Sequence, residues 1–187
     1  MELKVGRVLG IVILVAVIAL VVFGAWAVLA YNDLVAQEES IDSQWAQVTN
    51  EYQRKVDLIP QIVSAVEGYQ EYEQGTLQNV TALRTQWMEA RTTEDKINAS
   101  EELDRALIDI VLTYEAYPYL QADELVSSLM VTLEGTENRI TVERMRYNED
   151  VRDYNADIRS FPRSILAGWF DFDKRSYYES SEGPDQP

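Results

Sequence analysis

The sequence predicts an all-α protein in which an N-terminal transmembrane helix leads into a domain of long, packed helices. Three observations predict it. Residues 8–31 carry no charge, the remainder repeats apolar residues at alternating spacings of four and three, and only five Pro and eight Gly interrupt 187 residues. No long period-2 run of β-branched residues follows residue 31, so strands are not expected.

The run VLGIVILVAVIALVVFGAWAVLAY from Val8 to Tyr31 is the anchor. About 22 helical residues at roughly 1.5 Å each span the ~30 Å hydrocarbon core. Residues 8–30 are therefore assigned to the membrane, with residues 1–7 as a short tail and Trp26 and Tyr31 near the outer boundary, where amphipathic rings prefer to sit. Val28-Leu29-Ala30 also satisfies a small-residue cleavage rule, but the apolar run exceeds the roughly 7–15 residues of a signal peptide. Lys4 and Arg7 precede the run, and the next basic residue is Arg54. The positive-inside rule then puts the N-terminus in the cytoplasm and the helical domain outside the cell membrane.

Residues 31–162 form the helical domain. Leu34, Ile41 and Val48 recur every seven residues with Trp45 and Tyr52 between them, the pattern of a buried stripe running to about Val56. Asp57 can cap a new helix and Pro60 fits its first turn, so Asp57-Leu58-Ile59-Pro60 reads as a reversal or a kink and, as a tip, as the candidate partner contact. A second helix over about 58–90 turns Ile59, Val63, Val66, Leu77, Val80, Leu83 and Trp87 inward, with a packing reason expected for Gly68 and Gly75. RTTEDKINAS at 91–100 reads as a loop closed by Ser100 as N-cap. The third helix, 101–116, stops at Pro118. The fourth begins near Asp123 and carries Ile140, Arg144, Tyr147, Val151, Tyr154, Ile158 and Phe161 before Pro162 ends it.

Two Tyr-Asn pairs on that last helix, Tyr147-Asn148 and Tyr154-Asn155, lie seven residues apart. Each Tyr should pack inward and each Asn should hydrogen-bond a neighbouring helix, fixing register. Residues 163–178 combine Trp169, Phe170 and Phe172 with Lys174 and Arg175. Two readings stand side by side for them: an amphipathic segment in the lipid interface, or a plug that closes the end of the helical domain. Residues 179–187 read as a disordered tail.

Composition bounds the chemistry. Sixteen Lys and Arg against 32 Asp and Glu give a formal charge of −16, which repels nucleic acid. With Glu2, Lys4 and Arg7 set aside, the chain after residue 30 holds 14 basic and 31 acidic groups, a net −17. The absence of His and Cys removes imidazole- and thiolate-based catalysis, zinc sites and disulfides. Carboxylates such as Glu71, Glu101, Glu134 and Glu137 remain, but a di-iron bundle site needs Glu-x-x-His pairs. Solvated helix faces are the better reading, and no cofactor, metal or small-molecule substrate is indicated.

Several segments in order resemble the LemA family: YNDLV at 31–35, QWAQV at 44–48, RKVDLIPQIVSAVEGYQEYE at 54–73, EAYPYL at 115–120, GTENRI at 135–140, RMRYNEDVRDYN at 144–155 and IRSFP at 158–162. The resemblance implies an antiparallel four-helix bundle behind a transmembrane helix, which the periodicity supports independently. It implies no catalytic residues and an association with envelope or membrane organisation. Departures are Gln44 before the Trp of the family's AW motif, Tyr72 or its neighbours in place of a His, and Phe170-Asp171-Phe172 as the closing aromatic stretch.

A non-enzymatic, single-pass scaffold or interaction module of the cell envelope follows, with the lipid bilayer, envelope proteins or further copies of itself as partners. A self-assembling membrane-remodelling protein and a carboxylate-based cation binder or enzyme are the alternatives. If the positive-inside assignment holds, protease added to intact spheroplasts degrades the helical domain; full protection reverses the topology.

Overall fold

The computed structural model describes residues 2–178, with side chains from residue 10 onward. Among these residues there is no strand, and six helices follow in order: α1 (Glu2–Val66), α2 (Gln74–Glu89), α3 (Thr93–Ala116), α4 (Pro118–Ala122), α5 (Glu124–Asp157) and α6 (Arg163–Trp169). An apolar stretch of α1 is long enough to cross a membrane and buries none of its side chains against the protein. The expected tail at 179–187 and the side chains of residues 1–7 lie outside the described residues.

The chain packs as two units. The first comprises residues up to Asp42 with Asp150–Arg175; the second comprises Ser43–Glu149 with the residues from Ser176. Both α1 and α5 contribute to each.

In the first unit, Leu34 and Ile41 of α1 are buried, as are Val151, Tyr154 and Ile158 near the end of α5 and Leu166 of α6. Polar bonds register α1 on α5: Gln37 donates to Asp157 at 2.8 Å, Ser40 to Asp150 at 2.9 Å, and Tyr154 OH to Glu38 at 3.1 Å. The repeat stops predicting burial after Ile158 because α5 ends at Asp157, not at Pro162. Phe161, expected inward, is 82% exposed.

In the second unit the stripe continues through Val48, Tyr52, Val56, Ile59, Ile62 and Val66, all buried. Of the reversal or kink expected at 57–60, the reversal, and with it a second helix starting at Leu58, is corrected to one helix that passes through Pro60 and ends at Val66. A proline inside a helix removes the N–H that would bond to the carbonyl four residues earlier. That carbonyl belongs to Val56, and Arg84 of α2 supplies a substitute donor, Nε to O at 3.0 Å. The reversal lies instead at residues 67–73, so Gly68 belongs to a turn and Gly75 to the first turn of α2. A methyl group added at either meets nothing within 4 Å, so the expected packing reason for these glycines is absent.

The loop expected at 91–100 shrinks to residues 90–92. Thr92, not Ser100, caps α3, its hydroxyl accepting from the Asp95 N–H at 3.1 Å. Ser100 is buried instead, accepting from Trp87 Nε1 at 2.9 Å and donating to the Lys96 carbonyl at 2.7 Å, which joins α2 to α3. Pro118 follows the end of α3 and opens the short α4, where its missing N–H costs nothing. Asp123 caps α5: its Oδ1 accepts from the Val126 N–H at 2.9 Å and its Oδ2 from Tyr69 OH at 2.7 Å. These bonds, the backbone one first, hold its carboxyl below the usual range.

The Arg84 bond should matter only because of Pro60. Arg84→Ala is expected to lower unfolding free energy by about 1–2 kcal/mol, the worth of a hydrogen bond from a charged donor. In a Pro60→Ala background, residue 60 regains its own N–H and most of that loss disappears. Urea unfolding of the four proteins of the cycle checks this; strictly additive effects would refute it.

Candidate functional site

The second unit has a charged core. Lys55 is 0% exposed, and its position continues the Leu34, Ile41, Val48 repeat by one further step of seven. An unpaired ammonium there would cost several kcal/mol, and two helices supply counter-charges. Its Nζ lies 2.6 Å from Asp104 of α3 and also pairs with Glu137 of α5. The second oxygen of Asp104 accepts from Tyr52 OH at 2.9 Å, and Tyr52 OH in turn accepts from Tyr178 OH at 2.8 Å. The Arg144 guanidinium stands 3.9 Å above the Tyr178 ring and 3.9 Å from Asp104.

Burial pushes the Tyr52 phenol far above its ordinary range and Tyr178 up to about 12, so both stay protonated at neutral pH. Such hydroxyls donate hydrogen bonds and do not act as bases. Glu137, one of the carboxylates considered for metal, faces a lysine. No group of three or more acidic side chains among the described residues is placed to hold a metal ion. The arrangement holds α1, α3 and α5 and Tyr178 together. Sequence reading passed over Lys55, although the seven-residue repeat landing on a charge was the available signal.

The two asparagines hold the C-terminal extended segment, not the neighbouring helix that was expected. In the first unit, Asn155 Nδ2 donates to the Arg175 carbonyl at 2.8 Å and Asn155 Oδ1 accepts from the Arg175 N–H at 2.9 Å. In the second, Asn148 makes the same pair with Tyr178, both bonds at 2.8 Å, and Tyr147 OH donates to the Ser176 carbonyl at 3.0 Å. A side-chain amide thus offers the donor and acceptor of a neighbouring strand. Seven helical residues rise about 10.5 Å and three extended residues about 10 Å, so a repeat of seven on a helix suits a repeat of three on an extended chain. Tyr147 and Tyr154 are buried, as expected.

Residues 163–178 divide between the two readings weighed for them. Leu166 and Ala167 of α6 are buried, whereas Ile165, Trp169 and Phe170 are exposed. Phe172 is half-buried and meets the Tyr31 ring at 5.5 Å. Lys174 is exposed, but Arg175 is committed within the first unit, 3.4 Å from both Glu38 and Asp42.

Asp57, Leu58, Ile59 and Pro60 form no tip, because they lie within α1. Ile59 is buried, while exposed Pro60 borders a shallow groove with Leu125 and Leu129 of α5. A larger groove of about 610 Å³ opens in the same unit between α3 and α5. Its apolar lining includes Ile108, Leu112 and Val131, each more than half exposed, and its acidic lining includes Glu115 and Glu134.

A model of the LemA family matches residues 44–187, a span that contains the Lys55 network, both asparagines and the aromatic segment. The chain belongs to the LemA family. Among relatives of this LemA protein, the magnetosome proteins MamQ 1 and MamQ 2 of Paramagnetospirillum magneticum are each 22% identical over 199 residues. Each alignment covers 92% of this chain and 73% of the relative.

The asparagine pairs carry a stability prediction. Asn155→Ala leaves a backbone N–H and a carbonyl without partners in a fully buried place and should cost about 2 kcal/mol, against about 1 kcal/mol for the half-buried Asn148→Ala. Urea unfolding in detergent measures both; an unchanged curve for Asn155→Ala would show that the C-terminal segment contributes no stability.

Proposed function

We propose that this LemA protein is a non-enzymatic interaction module of the cell envelope. It is an antiparallel helical bundle held by a single membrane span, with its N-terminus in the cytoplasm and its helical domain outside. The opposed order of the α1–α5 contacts in the first unit supports the antiparallel arrangement. The uncharged span and the basic residues before it support the topology.

The observation that carries the interaction role is the groove between α3 and α5. Ile108, Leu112 and Val131 leave apolar surface in water, and carboxylates border it. The matching occupant is a partner's basic amphipathic helix, with apolar residues in the groove and Lys or Arg against Glu115 and Glu134. A second copy of this chain suits it poorly, because at −16 it would bring like charges together.

A photo-crosslinking residue at Leu112, compared with one at exposed Met88 of α2, tests this in native membranes. The expected outcome is a discrete adduct at 112 whose linked peptide is a Lys- or Arg-rich amphipathic helix, lost in Ile108→Glu/Val131→Glu protein with an unchanged melting temperature. Equal labelling from both positions, or an adduct indifferent to the double substitution, would overturn it.

A further inference from the structure

The first unit carries exposed aromatic side chains at a definable height. The uncharged run of α1 ends at Tyr31. The Tyr31 ring meets Phe170, the residue after α6, at 4.8 Å, and the Arg163 guanidinium at the start of α6 pairs with Asp33 at 2.7 Å. Both ends of α6 are thus registered to residues 31–33 of α1, within about 3 Å of axial rise past the end of the apolar run. Here Phe161 is 82%, Trp169 68% and Phe170 54% exposed, while Leu166 and Ala167 turn inward. Three large exposed rings within ten residues of chain, next to a helix registered to the end of the apolar run, form a surface suited to an apolar neighbour. The neighbouring surface of α1 is itself apolar and uncovered, with Val28 and Leu29 at least 60% exposed.

The nearby charges narrow the chemistry. Arg163 is paired with Asp33 and Asp157, and Arg175 with Glu38 and Asp42. Lys174 stands between Asp173 and the committed Arg175, with Asp171 also exposed. Arg159, exposed two residues before Phe161, bonds the Asn155 carbonyl and is in no ion pair among the described residues. With Lys174 it leaves this corner two uncommitted cations, fewer than the about four to eight that recognise anionic headgroups. The corner's aromatic rings suit the boundary between headgroups and acyl chains of any lipid charge.

We propose that Phe161, Trp169 and Phe170 insert into the bilayer interface beside the point where α1 leaves it, giving the first unit a second membrane contact independent of anionic lipid. This rests on residues 8–30 being the membrane span and not on the α3–α5 groove.

The absence of cysteine makes the test direct. Single substitutions Phe161→Cys, Trp169→Cys, Glu39→Cys and Val21→Cys, all at exposed positions, are introduced into the full chain and labelled with bimane. The proteins are reconstituted in phosphatidylcholine vesicles with and without phosphatidylglycerol. Quenching by a lipid spin-labelled near its headgroup is expected to be about threefold or more stronger at 161 and 169 than at 39, which lies about 12 Å further along α1, and equal in both vesicle types. Quenching at 161 and 169 no stronger than at 39 would overturn the contact, leaving a protein-facing or water-facing corner. Quenching that requires phosphatidylglycerol would overturn the apolar mechanism in favour of headgroup charge. The label at 21 reports the span separately: without quenching there by a deeply labelled lipid, the anchor reading fails instead.

Discussion

The buried ammonium of Lys55 is the constraint around which the second unit is arranged. A lysine removed from water demands negative charge and hydrogen-bond acceptors in fixed places. Asp104 and Glu137 meet that demand from two different helices, so α1, α3 and α5 converge on one atom. The segment after α6 joins through Tyr178 and Tyr52, whose hydroxyls lead to the same Asp104 carboxylate. Replacing such a cluster by apolar side chains can leave a fold equally stable, whereas removing one member strands the others. Its contribution is then mainly to specify which helices meet and at what height, which apolar contacts alone do loosely.

Backbone groups impose a second set of conditions. Pro60 leaves the Val56 carbonyl without its helical donor, and Arg84 provides one. The C-terminal segment is extended and has no strand beside it, so Asn155 and Asn148 supply the missing ladder from their side chains. In each case a polar side chain from one element completes the hydrogen bonding of another. These groups would otherwise lie desolvated and unpaired, at about 1–3 kcal/mol apiece. Local geometry that propensity disfavours is thereby retained.

Surface chemistry differs between the places considered for function. In the second unit, acidic residues border an apolar groove. In the first, Arg163 and Arg175 are consumed by intramolecular ion pairs, and exposed aromatic rings stand beside the two remaining cations there, Arg159 and Lys174. The −16 charge is therefore not a uniform repulsive coat. Its effect on a membrane or a partner is set by which charges are already paired.

The helical class, the membrane-length run and most of the core were legible in the sequence because they depend on period and composition. Leu34, Ile41, Val48 and Tyr52, and later Ile140, Tyr147, Val151 and Tyr154, are buried where the repeat puts them. The LemA membership was legible as well, since it rests on ordered motifs. Helix boundaries were less so: at Pro60 reversal and kink both stayed open, because the donor that lets α1 continue through it, Arg84, lies 24 positions away in another helix. Lys55 was passed over because the two carboxylates that face it, Asp104 and Glu137, lie far along the sequence on other helices. Asn148 and Asn155 were recognisable as polar residues beside a buried stripe, but their partner was misread, because an extended segment leaves no periodic trace of what it lies against. Periodicity is a local property and determines which face of a helix is buried. Which polar groups complete one another is decided only when remote parts of the chain meet.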